Sequence, residues 1–150
     1  MTDWREFTDR LAEQVATFPE NAVVDIGCFR WPTSDRLVQI AQFGDCLWAI
    51  VLELPLVGAS VSLGSGPELM SAVGWQPPGN PDHGTCWWIE LPWPVSVLIH
   101  GQLAKMIVTG LRDFHCIPNA STLAYDAWDL DTSERAIDLP LLGIPARLLS

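Results

Sequence analysis

Near the start of the chain, apolar residues recur at three- and four-residue steps: Trp4, Phe7, Leu11, Val15 and Phe18. That spacing places them on one stripe of an α-helix. Thr2 or Asp3 can cap its start, and Pro19 lies just beyond its end. Arg5 with Asp9, and Glu6 with Arg10, stand one turn apart on the polar side. The period then changes. Ala22–Cys28 alternates, with Val24, Ile26 and Cys28 on one face and Asp25 on the other, which predicts a strand. Trp31–Asp35 reads as a turn. Arg36–Phe43 and Cys46–Leu54 read as two further strands joined by Gly44-Asp45, a glycine-first loop suited to a tight hairpin. The second of these is apolar on both faces except at Glu53, the pattern of a central strand with one face on helices.

Further along, Ser65-Gly66-Pro67-Glu68 forms a capping box. It opens a short helix, Pro67–Val73, for which Gly74 supplies a left-handed C′ residue. A loop rich in proline and glycine spans Gln76–Gly84. The short strand Thr85–Glu90 follows, with Trp87 and Trp88 on opposite faces. Val95, Leu98, Ile99, Leu103, Met106, Ile107, Leu111 and Phe114 mark the broad apolar face of a long helix that opens at Trp93-Pro94. Leu123–Trp128 reads as a final strand or an extended arm. Asp126–Asp138 is acidic and predicts a solvated segment, and Leu139–Ser150 is apolar with no clean period. No repeat and no linker divides the chain. The element order predicts an α+β domain: helix, three-strand meander, helix, strand, helix and tail.

Composition narrows the function classes. An apolar fraction of 49% over 150 residues suffices for one core, and 17% charged residues is too few for a disordered chain. The net charge of −10, with Lys105 the sole lysine, argues against nucleic acid and against anionic lipid. Basic or neutral protein partners remain. Cys28, Cys46, Cys86 and Cys116 are widely spaced with no CxxC pair, and Met1–Arg10 is too polar and acidic for a signal peptide. Both features point to reduced thiols in the cytoplasm. The apolar run Cys46–Leu63 is broken by Glu53, Pro55 and Gly58, so it does not read as a membrane helix.

Candidate chemistry is sparse. His83-x-x-Cys86 and His115-Cys116 are the nearest approach to a metal site, but adjacent His and Cys rarely converge on one tetrahedral ion. No nucleophile elbow occurs, and His100 falls among apolar helix residues. Glu53 and Asp25 form a conceivable carboxylate pair, though Glu53 reads better as a partner for Arg30, Arg36 or Arg112. Gly64-Ser65-Gly66 lacks the lysine of a phosphate loop. The reading is of no catalytic residue, no metal and no cofactor.

The tryptophans carry more information. Of eight, Trp4 and Trp48 fall on faces predicted to join the core, Trp31 lies in a turn, and Trp75 and Trp93 flank loops. Aromatic surface beside proline-rich loops makes binding patches. The alternative is a second apolar layer covered by the tail. Leu139, Leu141, Leu142, Ile144, Leu148 and Leu149 either dock on their own subunit or on a symmetry mate, and the latter favours a dimer.

Several segments together resemble a known family. They are the first helix with Trp4 and Phe7, "LVQIAQ" at Leu37–Gln42, "LWAIVLEL" ending in the strand with Glu53, and "LMSAVGWQPP" at Leu69–Pro78. The Trp87-Trp88 pair, "GLRDF" at Gly110–Phe114 and "IPNASTLAYDAW" at Ile117–Trp128 complete the series. Their order is similar to that of the actinobacterial TY-Chap domains, which are in turn similar to YbjN proteins and to type III secretion (Tir-type) chaperones. Leu54–Leu63 departs from the family by being apolar where the family is polar and contains Asn. The resemblance implies a twisted antiparallel sheet flanked by helices over residues 1–128, with 129–150 as a tail of the same unit or a dimer arm. It further implies a homodimer that holds a protein client in a partly extended state. On this reading the partner-binding groove lies around Trp31, Leu56, Val57, Trp87 and Trp93. A structural or regulatory subunit of a fixed complex is the alternative. A small-molecule binder with a pocket under the 76–84 loop is the other.

Overall fold

A computed structural model describes residues 3–18, 21–28, 35–51, 66–77, 86–92, 97–114, 117, 119–120, 123–129, 137, 139, 142 and 144. Helix α1 spans Trp4–Ala16, and its N-cap is Asp3, whose carboxylate accepts from the Glu6 N–H at 2.7 Å. Of the two helix-surface pairs expected from spacing, Glu6 and Arg10 form an exposed ion pair at 3.1 Å. The buried stripe is Phe7, Leu11 and Val15, joined by Gln14.

Strands β1 (Ala22–Cys28), β2 (Asp35–Gln42) and β3 (Cys46–Val51) form the expected meander. The β2–β3 hairpin closes through the Phe43 N–H on the Cys46 carbonyl at 2.9 Å, and Gly44 sits at φ +91°, a conformation that costs a glycine little. The buried Gln42 side chain ties the β2–β3 turn to the start of β1. Its Oε1 accepts from the N–H groups of Gly44 at 3.0 Å and Asn21 at 3.1 Å.

Helix α2 (Gly66–Val73) ends in a Schellman motif. Gly74 has φ +117° and donates to the Ser71 carbonyl, while Trp75 donates to the Met70 carbonyl. Strand β4 is Trp87–Pro92, displaced by two residues from the expected Thr85–Glu90. Helix α3 (Val97–Val108) is followed without a break by a π-helical stretch, Thr109–Phe114. The segment left open as strand or arm is a strand, β5 (Ala124–Asp129), which pairs antiparallel with β1.

The five-stranded sheet has the order β4-β3-β2-β1-β5, antiparallel throughout. One face, built from Ala22, Val24, Ile26, Val38, Ile40, Leu47, Ala49, Val51, Trp87, Tyr125 and Ala127, belongs to a single core with the buried residues of α1, α2 and α3. Helix α1 packs on α3, and α2 on the π-helical stretch. The tail supplies Leu139, Leu142 and Ile144 to that same core within one subunit, and Tyr125 Oη accepts from the Leu139 N–H at 2.9 Å.

Candidate partner-binding face

The period of two along each strand sends alternate side chains away from the helices. Antiparallel register then aligns these outward residues into two rows across the sheet. One row reads Glu90, Trp48, Ala41, Val23, Trp128, and the next reads Trp88, Ile50, Gln39, Asp25, Asp126. None of these ten belongs to the core cluster on the helix side.

The centre of this second face is closed: Val23, Asp25 and Ala41 are buried. Within it, Gln39 Nε2 donates to Asp25 Oδ1 at 2.9 Å, so the buried carboxylate has a polar neighbour on the adjacent strand. The flanks are more open. Trp48, Ile50, Trp88, Asp126 and Trp128 are part-exposed and Glu90 is exposed. Trp48 meets the exposed Phe43 edge-on, with ring centroids 4.9 Å apart.

Trp48 was expected on a core face. Register places it instead opposite Ala41 and Glu90, on the side away from the helices. Its strand mates Leu47, Ala49 and Val51 fill the core positions. A strand that is apolar on both sides does not declare which parity faces the helices, and the register decides it. Trp87 and Trp88 do point to opposite faces, but Trp87 is the inward one. It is 4% exposed, stands edge-on to Phe114 at 6.3 Å, and so offers its indole to the core and not to a partner. Trp31, Leu56, Val57 and Trp93, the other residues of the groove expected from sequence, lie outside the described residues, as does Glu53. Trp88 and Trp128 are the outward indoles that sequence reasoning missed; the alternation of β4 and β5 was their only signal.

Both sheet edges are partly occupied. Gln76 and Trp88 exchange two backbone hydrogen bonds on the outer edge of β4, and Ile137 donates to the Ala127 carbonyl on the outer edge of β5. Pro92 at the end of β4 has no N–H to offer. These features limit the addition of a further strand.

Among the described residues, no group of three or more His, Cys, Asp or Glu side chains could hold a metal ion. His83, His115 and Cys116 lie outside them. Cys46 is a free thiol whose pKa is raised by burial and by the nearby carboxylates of Asp45 and Glu90. A thiol held protonated is a poor nucleophile. No described helix is long and apolar enough to cross a membrane.

A family model described as "T3SS (YopN, CesT) and YbjN peptide-binding chaperone 3", TY-Chap3, matches residues 1–129. No curated protein and no solved structure matches the chain significantly.

Proposed function

This chain belongs to the TY-Chap3 family of peptide-binding chaperones, and from that membership we propose that it holds a protein client in an extended state, without catalysis, as a cytoplasmic homodimer. The observation that carries the reading is the second face of the sheet. It presents Trp48, Ile50, Trp88 and Trp128 part-exposed, outside the core on the helix side. Indole rings supply large, rigid contact area and tolerate varied sequences, which suits a surface that must accept unfolded segments. The acidic charge of the chain keeps such a surface soluble and disfavours nucleic acid as the occupant.

The test uses a permanently unfolded, carboxymethylated model protein. The chain is expected to bind it, with a change in tryptophan emission, and to suppress aggregation of a heat-denatured client at near-stoichiometric ratio. Trp88→Ala combined with Trp128→Ala is expected to abolish both effects while leaving the circular dichroism spectrum unchanged. A chain that ignores unfolded polypeptide, yet purifies with one stoichiometric folded subunit, would replace this reading with a fixed structural role.

A further inference from the structure

Each edge strand carries a tryptophan and a carboxylate two residues apart on the second face: Trp88 and Glu90 on β4, Asp126 and Trp128 on β5. Resting on the peptide-holding role proposed above, we infer that this surface selects client segments bearing arginine or lysine beside apolar residues.

Three observations support that occupant. The first is spacing. Residues i and i+2 of a strand lie on one face about 7 Å apart, so a guanidinium stacked on the indole also reaches the carboxylate. The second is the sign of the charge. Among the described side chains of this face, the charged ones are Asp25, Glu90 and Asp126, all carboxylates. Of the cations whose side chains are described, Arg5, Arg10, Lys105 and Arg112 sit on the helical elements across the sheet, while Arg36 lies on β2 opposite Gly27. On the helices, Arg10 pairs with Glu6 and Arg112 with Asp113, so the helical layer is of mixed sign. The third is context. Ile50 stands beside Trp88 across the strands and Trp48 beside Glu90, so an apolar neighbour of the bound cation also finds contact. Arginine should be preferred to lysine, because its planar group stacks on indole and pairs with carboxylate at once.

The experiment uses the full chain and fluorescently labelled extended peptides, identical except that alternate positions carry Arg, Lys, Ser or Glu. Anisotropy titrations should rank them Arg, Lys, Ser, Glu, with Arg at least about tenfold tighter than Ser at low salt and the gap narrowing as salt is raised. Asp126→Asn with Glu90→Gln should bring the Arg peptide to the affinity of the Ser peptide and leave the latter unchanged. If that pair fails to fold, Asp126→Asn alone, at a part-exposed edge-strand position, should give a partial loss. Equal binding of Arg and Ser peptides would overturn cation selection and leave peptide holding intact. Binding of none of the peptides would overturn both. Persistent Arg preference in the neutralised variants would overturn the assignment to this face.

Discussion

The indole N–H of Trp75 donates to the backbone carbonyl of Met106 at 3.1 Å, in the buried interior. This bond joins the Schellman turn of α2 to α3 three residues before the helix widens into π geometry. Thr109 adds a second side-chain bond there, its hydroxyl donating to the Lys105 carbonyl at 2.9 Å. Buried Trp87 provides a contrast, since its Nε1 is enclosed with no acceptor among the described residues.

Trp75→Phe should therefore cost more than Trp87→Phe. Both lose ring area, but only the first leaves a carbonyl short of a donor, a difference of about 1 kcal/mol or more. Urea denaturation of the two variants measures it. Equal midpoints would mean that the Trp75 bond contributes nothing net.

Gly110 brings the π-helical stretch against β3. A Cβ at this position would lie 3.0 Å from Val51 Cγ2 and 3.4 Å from Val51 Cγ1. Gly110→Ala is expected to destabilise by roughly 1–3 kcal/mol through overpacking. Val51→Ala leaves a cavity by itself, so the double variant should be more stable than the sum of the single losses. A double-mutant cycle by chemical denaturation reads that coupling.

Tyr125 connects sheet and tail through its hydroxyl, which accepts from the Leu139 N–H. Tyr125→Phe should lower stability by about 1–2 kcal/mol, because a buried N–H is left without its acceptor. Hydrogen exchange should show the Leu139 amide losing protection more than amides of β1. Uniform loss across the sheet would contradict a local tie.

Cys46 predicts a pH dependence. Burial first, then Asp45 and Glu90, raise its thiol above the ordinary value of 9.0. With the folded pKa the higher one, this contribution to stability is fully present below 9.0 and is lost as pH rises through the folded pKa. Alkylation of Cys46 at pH 8, followed by peptide mass spectrometry, should be slower than in the urea-unfolded chain. Glu90→Gln should speed it in the folded chain by removing a negative neighbour. An unchanged rate in that variant would show that the carboxylate has no hold on the thiol.

Much of this architecture was legible in the residues because it rests on local rules. The stripe from Trp4 to Val15, the Asp3 cap, the glycine-first hairpin at Gly44 and the left-handed Gly74 each depend on neighbours within a few positions. The chain order of the helices and the first strands followed from the same patterns, and the series of weak segment likenesses pointed to the family whose model matches residues 1–129.

What sequence alone determined was where the chain turns, coils and extends, since backbone preference and period act over short range. Only the tertiary structure decided which parity of each strand meets the helices. That choice put Trp87 inside and Trp48, Trp88 and Trp128 on the far face, buried Asp25 beside Gln39, and brought Leu139, Leu142 and Ile144 into the core. The physical reason is that register is a contract between strands distant in sequence: a shift of one residue exchanges the two faces while leaving every local preference satisfied.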